Sequence, residues 1–183
     1  MIWKTWFTKK SSKKIEPNID LTISNLKPGF FVDYDSKTWE VSAYNYYEWG
    51  IRDRTDEWQL KHSNDVIYLQ REIDDEDKWT ICAKIPMNKM DTTLTAYIIQ
   101  HGDPPDQLVY DEKEYHFEES GVGYYYKNCA PPAFELIKWD FIDEYGTNFI
   151  SIEQWGEIEF NVSIGMEVKE YHFTNILPRE IKL

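Results

Sequence analysis

The stretch Glu57-Trp-Gln-Leu-Lys-His-Ser-Asn-Asp-Val-Ile-Tyr-Leu-Gln-Arg-Glu72 decides the fold class. Polar and apolar residues alternate on either side of Ser63-Asn64-Asp65, which has the composition of a turn. We therefore predict two strands, Glu57–His62 and Val66–Glu72, joined by this turn. No long segment of the chain has a convincing helical period, so the predicted class is all-β.

The same pattern of short strands and turns continues in both directions from this hairpin. Upstream, Gly29–Tyr34 and Thr38–Tyr44 read as a hairpin, and Lys78–Ile85 follows as a further strand. The residues from His101 to Asp106 contain two prolines and a glycine and read as a linker. Beyond the linker the predicted strands are Gln107–Tyr110, Glu114–Glu118, Gly123–Tyr126, Glu135–Ile142, Asn148–Gln154, Glu157–Val162 and Met166–Phe173.

The second half of the chain repeats the pattern of the first. An offset of 81 residues (139 − 58 = 81) pairs Trp58 with Trp139, and it also pairs Glu72 with Glu153. Upstream of these positions the offset is 76. The sequence therefore predicts two related small β-units, residues 20–98 and 107–176. We expect them to form pseudo-symmetric antiparallel sheets or a barrel-like arrangement within one compact domain.

These residues also carry a family resemblance. The chain contains Leu26-Lys-Pro-Gly-x-x-Val-Asp-Tyr34, Thr38-Trp-x-Val41, Trp58-x-Leu60, Tyr68-Leu-x-x-Glu72 and Trp79. Tyr115 to Glu119, Gly121 and Ile152-Glu-x-Trp155 are the second-half counterpart. This pattern resembles the bacterial family called domain of unknown function 4178 (DUF4178), over most of residues 20–175. The resemblance implies no established activity or cofactor. It implies a link to membrane-stress or envelope biology, because members tend to be encoded near genes for phage-shock-type proteins or polyamine synthesis.

Charge is divided unevenly along the chain. The whole protein carries −13, whereas residues 1–16 carry five lysines against Glu16, a net +4, so the remainder carries −13 − 4 = −17. An acidic body repels nucleic-acid phosphates, so no nucleic-acid partner is predicted. The N-terminus has no signal peptide, no stretch approaches a membrane span, and Cys82 and Cys129 lack redox or metal spacing. The predicted location is cytoplasmic.

Residues 1–19 form a short basic, amphipathic segment. Apolar residues at near-helical spacing precede lysines, which is typical of a helix that lies on anionic lipid. The candidates for membrane or partner docking are Trp3, Trp6, Phe7, Lys9 and Lys10. The alternative is a frayed terminus whose tryptophans pack on the domain. Docking would place the protein peripherally at the inner face of the membrane.

Glu72 and Glu153 are the candidates for catalytic carboxylates. Acid–base chemistry can use two carboxyl groups at a defined separation, and both glutamates follow an aromatic strand. The alternative, which we favour, is that each is a structural acceptor for backbone amides or tryptophan N–H groups.

Aromatic clusters supply the candidates for ligand binding. In the segments 44–49 and 124–126 aromatic residues fall on both strand faces, and only one face can fill a core. The second face is buried between the units or lines a groove for a polar ligand, a sugar or a cationic polyamine. The candidates are Tyr44, Tyr46, Trp49, Tyr124 and Tyr126.

The tetrapeptide Glu-Tyr-His-Phe occurs twice, at 114–117 and 170–173. On strands, the period of two places Glu and His on one face. Glu114, His116, Glu170 and His172 would then be metal ligands if the two strands were neighbours. The alternative is a charged outer face above an aromatic core, and no metal is predicted.

No nucleotide-binding, zinc-protease or serine-hydrolase signature occurs in the chain, so no cofactor is predicted. The leading hypothesis is therefore a non-enzymatic binding or adaptor module that engages a protein partner. The alternatives are a hydrolase on acidic polymers or glycans that uses the paired glutamates, and a soluble binder of polyamines or sugars.

Overall fold

The structure is a computed structural model, and it describes residues 21–73 and 76–178. Within these ranges the chain forms eleven strands and one α-helix, α1 (Leu94–His101). Short 3₁₀-helices occupy Ile23–Asn25, Met87–Lys89, Lys127–Cys129 and Glu170–His172. The strands are β1 (Phe31–Tyr34), β2 (Lys37–Gly50), β3 (Asp53–His62), β4 (Asp65–Ile73), β5 (Asp77–Ile85), β6 (Gln107–Tyr110), β7 (Lys113–Tyr126), β8 (Phe134–Asp143), β9 (Asn148–Gln154), β10 (Phe160–Val168) and β11 (Thr174–Leu177).

The sheet closes into a barrel. Its strand order is β11-β1-β2-β3-β4-β5-β10-β9-β8-β7-β6, and β2 also pairs with β7. This extra pairing joins Tyr46 to Tyr126 and Tyr47 to Tyr125, so the strands from β2 through β5 and β10 round to β7 form a closed ring of eight. Closure removes the edges of these strands. The all-β prediction is confirmed, with a barrel as its architecture.

A β-bulge in β2 and another in β7 change which side chains face the lumen. The pairing shifts between Val41 and Ala43 in β2, and between Phe117 and Glu119 in β7. One extra residue reverses the alternation of a strand. Before the bulge in β2, Val41 therefore packs outside the barrel wall, whereas after it Tyr47 points inward and reaches Glu153 across the lumen.

The hydrophobic core is divided into two clusters outside the barrel wall. The first contains Trp58 and Leu60 and is covered by residues of β1, of β11 and of the 3₁₀-helix Ile23–Asn25. The second contains Trp139 and Phe141 and is covered by β6 and α1. Alternate residues of a strand face opposite sides. The side chains between these apolar residues therefore face the lumen.

The two halves supply their strands in the same order, β1 to β5 and β6 to β10. Trp58 and Trp139 lie in corresponding strands and both are buried. The indole N–H of Trp58 donates to Leu26 O at 2.9 Å, and that of Trp139 donates to Asp103 Oδ1 at 3.0 Å. Each indole is therefore held by the segment that precedes the first strand of its own half.

Helix α1 belongs to the second cluster. Leu94 and Ile98 are buried there with Met90, although the sequence division at residue 98 assigned them to the first unit. The helix ends at Gly102, whose φ of 85° is a left-handed conformation and whose N–H donates to Ile98 O. Eight residues are too few to show a period against a β background, so the sequence did not predict this helix.

Two predicted strand breaks are absent. The predicted strands Glu114–Glu118 and Gly123–Tyr126 form the single strand β7, and Glu157–Val162 and Met166–Phe173 are replaced by β10 and the elements after it. Gly123 borders the first supposed break and Gly165 lies in the second, and each allows a close contact instead. A Cβ at Gly123 would lie 2.4 Å from the Trp49 ring, and one at Gly165 would lie 2.3 Å from Ile81 O.

Candidate functional site

The lumen of the barrel is polar. The inward positions of β3 and β4 include Glu57, Gln70 and Glu72, and those of β8 include Lys138 and Asp140. This arrangement follows from the outer position of the two hydrophobic clusters, because the apolar residues of these strands are already used there. None of the buried side-chain nitrogen and oxygen atoms of the described residues lacks a hydrogen-bond partner. The buried polar side chains of the lumen that the structure describes are therefore all hydrogen-bonded, which fixes their positions.

One end of the barrel opens into a cavity of about 840 Å³, which we call the mouth cavity. A smaller chamber of about 50 Å³ continues inward from it and is lined by Gln70, Thr80 and Ser151. The residues common to both spaces are Glu72, Lys78, Glu119, Lys138 and Asp140. The larger volume is in the range of small-molecule sites. The chamber has room for a group of about the size of a water molecule.

The wall of the mouth cavity is acidic. Five acidic and three basic residues line it: Asp53, Glu72, Glu76, Glu119, Asp140, Arg52, Lys78 and Lys138. Lys138 is bound to Asp140, with 2.8 Å between Nζ and Oδ2, and Asp140 raises the pKa of the Lys138 ammonium against the effect of burial. Within the described residues, the carboxylates of Glu72 and Glu119 form no hydrogen bond or ion pair. Glu72, which is half-buried and also raises the pKa of Lys138, and the exposed Glu119 therefore line the cavity without a direct bond to that lysine.

Trp49 forms the aromatic part of this wall. Its indole N–H donates to Thr55 Oγ1 at 2.9 Å, and its ring stacks on Tyr47 with 5.4 Å between centroids. Gly123 lies against the ring, because a Cβ there would overlap it. Lys138 Nζ is 5.6 Å from the ring centroid. Trp49 is thus fixed in place, and it is the one predicted ligand-binding aromatic residue that lines the mouth cavity.

The other four predicted ligand-binding residues lie on the outer side of the wall. Tyr44 stacks on Trp58 with 5.1 Å between centroids and donates to Asp56 Oδ1 at 2.7 Å. Tyr46 and Tyr126 stack on each other at 4.5 Å where β2 meets β7. Tyr124 is 48% exposed. The structure therefore separates these four residues from Trp49, and for Tyr44 and Tyr46 the alternation of β2 accounts for this.

A hydrogen-bonded group of buried side chains lies deeper in the lumen. Tyr47 Oη is 3.1 Å from Glu57 Oε2 and 3.0 Å from Glu153 Oε1. Gln70 also donates to Glu57, and the Trp155 indole donates to Glu153. Burial raises the pKa of Glu153 above its ordinary value, and burial raises the pKa of Tyr47 well above its own. We call Tyr47, Glu57 and Glu153 the carboxyl network.

The strand register in the two halves is not identical. β3 and β4 pair Trp58 with Leu69, whereas β8 and β9 pair Trp139 with Ile152. Leu69 and Ile152 are 83 residues apart (152 − 69 = 83), which is two more than the offset between the tryptophans. β9 is therefore shifted by two residues along β8.

This shift changes the partner of Glu153. Its ladder neighbour is Lys138, and the corresponding residue in the first half is Gln70, whose neighbour is Glu57. Glu72 lies one step further out and lines the mouth cavity, whereas Glu153 is buried and lines neither this cavity nor the chamber. The structure therefore does not bring the two candidate catalytic carboxyl groups into one cleft.

The four candidate metal ligands are separated. Glu114 and His116 lie in β7, but Glu170 and His172 lie in a 3₁₀-helix, so the second tetrapeptide is not a strand and has no period of two. Glu170 Oε1 accepts from the Trp79 indole at 3.2 Å, and His172 Nδ1 accepts from Lys169 N. Across the described residues, no group of three or more His, Cys, Asp and Glu side chains has an arrangement suited to a metal ion.

The predicted docking residues Trp3, Trp6, Phe7, Lys9 and Lys10 lie outside the described residues. Within the part of the chain that is described, no helix has the length and apolar character that a membrane span requires.

The sequence profile of a domain of unknown function, DUF4178, matches residues 27–170. The chain belongs to the DUF4178 family. A protein from Aquifex aeolicus (strain VF5), described only as uncharacterized, is 27% identical over 176 residues, which is 96% of each chain. No solved structure matches the chain at a significant level. The family resemblance is confirmed.

Several lumen residues of this DUF4178 domain were missed by sequence reasoning. Glu57, Gln70 and Lys138 face the lumen, whereas the polar residues of a strand with alternating polarity are ordinarily expected to face solvent. One signal was present, because Glu57 and Lys138 are related by the same offset of 81 as the neighbouring tryptophans. In each half, a charged residue therefore occupies the lumen-facing position directly before the buried tryptophan.

Proposed function

We propose that this DUF4178 protein is a non-enzymatic binding module whose mouth cavity takes a small cationic ligand. The observation that carries the proposal is an open cavity of about 840 Å³ lined by Glu72 and Glu119, which form no hydrogen bond or ion pair among the described residues. An ammonium group beside such carboxylates gains charge-assisted hydrogen bonds. The net charge of −13 adds a long-range attraction for cations.

The walls favour a linear amine over a sugar. Sugars usually stack on an exposed aromatic face, but one face of Trp49 is covered by Tyr47 and Gly123 lies against the ring. The carboxylates remain the accessible groups. A polyamine, which presents several ammonium groups on an apolar chain, matches an acidic cavity of this size.

The hydrolase alternative gains no support from the geometry. Paired-carboxylate hydrolysis needs both carboxyl groups on one substrate-filled cleft. Only Glu72 of the two candidates lines the mouth cavity. Both oxygens of Glu153 have hydrogen-bond partners in Tyr47 and Trp155.

Calorimetric titration with spermidine tests the proposal. We expect saturable binding by the full chain, weakened about tenfold by the double change E72Q/E119Q, because two partly exposed ion pairs contribute about 1.4 kcal/mol together. The control is E135Q/E157Q, which removes the same charge from exposed residues away from the cavity. This control should bind within twofold of the unchanged protein.

Two outcomes contradict the proposal. If the unchanged protein binds no spermidine, the ligand class is wrong. If both double variants lose the same affinity, binding depends on net charge and not on the mouth cavity. A glycan titration that gives heat where spermidine gives none would favour the sugar alternative.

A further inference from the structure

A buried tyrosine hydroxyl lies between two carboxyl groups. Tyr47 Oη is within hydrogen-bond distance of Glu57 Oε2 and of Glu153 Oε1, and these three residues are 2%, 2% and 4% exposed. A phenol has one proton to donate. It can therefore bond as a donor to only one carboxylate. The other contact is a hydrogen bond only if that carboxyl group carries a proton and donates it to the phenol oxygen.

The surroundings of Glu57 suit an ionised carboxylate. Asn45 Nδ2 donates to Oε1 at 3.1 Å, and Gln70 Nε2 donates to Oε2 at 3.0 Å. The Tyr125 hydroxyl is also 3.3 Å from Oε1. Donors directed at both oxygens stabilise the charged form of a carboxyl group.

The surroundings of Glu153 are different. Besides Tyr47, the one donor to it among residues 21–73 and 76–178 is the Trp155 indole, 3.2 Å from Oε2. Burial raises its pKa, and Lys84 and Lys138 act in the opposite direction. Neither lysine is hydrogen-bonded to Glu153. Lys138 is paired with Asp140 instead, and Lys84 lies over the Tyr68 ring at 5.2 Å from its centroid.

We propose that the two carboxyl groups of the carboxyl network share one proton at neutral pH, and that it resides on Glu153 Oε1. This proton is donated to Tyr47 Oη, and the proton of Tyr47 is donated to Glu57 Oε2, so the network carries one negative charge. No ligand of the mouth cavity enters this assignment. Other titratable groups that face the network are Lys84 and Cys82 on β5, Tyr125 on β7 and Lys138 on β8. Cys82 is neutral, because burial raises the pKa of its thiol to about 12.

A proton on Glu153 makes the stability of the barrel depend on pH. The pKa of Glu153 is raised above its ordinary 4.5 in the folded state, so above pH 4.5 this carboxyl group binds more protons in the folded protein than in the unfolded chain. The stabilisation is complete below this value and is lost as the pH rises through the raised pKa. Within this window the contribution to the unfolding equilibrium constant changes by at most about tenfold per pH unit.

Urea unfolding of the full chain from pH 5 to pH 8 tests the assignment through two matched variants. In E153Q, the amide of Gln donates to Tyr47 and its carbonyl accepts from Trp155, as protonated Glu153 does. We expect E153Q to fold, and its stability relative to the unchanged protein to increase with pH. In E57Q, an amide group would face the donors Asn45 or Gln70, so we expect the unfolding equilibrium constant to increase at least tenfold at every pH.

Infrared spectroscopy provides a second measurement that does not depend on the stability of the variants. A carbonyl band of a protonated carboxylic acid should be present in the unchanged protein at pH 7 and absent in E153Q. Absence of this band from the unchanged protein would overturn the assignment. A tolerated E57Q with a destabilised E153Q would also overturn it, because the proton would then reside on Glu57.

Discussion

Gly165 in β10 has no room for a side chain. A Cβ at this position would lie 2.3 Å from Ile81 O and 2.5 Å from the Phe149 ring, where β10 meets β5 and the lumen. Contacts this short force the backbone or the ring to move. The residue is therefore required by packing and not by a turn, since β10 is continuous through it.

We expect Gly165→Ala to lower the free energy of unfolding by about 1–3 kcal/mol, as overpacking does in other proteins. The control is Gly156→Ala, because nothing lies within 4 Å of a Cβ at that position. Urea unfolding at one pH measures both variants. Equal stability of the two variants would show that β10 and β5 separate easily.

The strands show what periodicity can and cannot predict. Alternation located β3, β4, β5, β8 and β9 within a few residues, because each keeps one apolar face. It did not reveal the bulges in β2 and β7, since an inserted residue leaves no compositional signal. The bulges decide which aromatic residues face the lumen. Alternation alone places Tyr46 and Trp49 on opposite sides of the wall, and the bulge in β2 decides that Trp49 is the one on the lumen side.

The polarity of the lumen was also beyond the reach of the sequence. An alternating strand is ordinarily read with its apolar face inward. Here the apolar face of β3 packs under β1 and the segment around Ile23, and the apolar face of β8 packs under β6 and α1. The elements that cover these faces are distant in sequence. The local pattern of a strand therefore does not predict which of its two faces is covered.

Helix α1 contributes a core residue next to an exposed residue of the same type. Ile98 is 1% exposed in the second cluster, whereas Ile99 is 51% exposed. We expect Ile98→Ala to lower the free energy of unfolding by about 2–5 kcal/mol, because it leaves a cavity. Ile99→Ala should change stability little, which chemical unfolding would show. Similar values for both variants would mean that α1 does not cover the second cluster.

At the scale of the whole molecule, the fold separates its apolar clusters from its polar lumen. The apolar clusters lie outside the wall under short covering elements, and the lumen is left to polar groups whose arrangement the barrel fixes. This separation explains how a strongly acidic protein can bury Glu57 and Glu153 together, because donors from several strands converge on them. Because the apolar clusters lie outside the wall, the mouth cavity is lined mainly by polar and charged side chains.

The charge division of the chain makes a prediction at the same scale. The acidic remainder, at −17, is repelled by anionic lipid, so any attraction to such a surface must come from residues 1–16 at +4. We expect the full chain to sediment with anionic vesicles and not with neutral ones, and expect deletion of residues 1–14 to abolish this. Each lysine near the surface contributes about 1 kcal/mol at low salt.

A second variant separates charge from apolar insertion. Replacing Lys9, Lys10, Lys13 and Lys14 by Gln keeps Trp3, Trp6 and Phe7. If residues 1–16 bind as an interfacial helix, this variant should lose the dependence on anionic lipid. It should retain only the weak contribution of the three aromatic side chains. In either variant, spermidine binding should still be weakened about tenfold by E72Q/E119Q. Unaltered vesicle binding after deletion of residues 1–14 would refute membrane docking through this segment. The search for a partner would then move to the outer side of the wall around Tyr124.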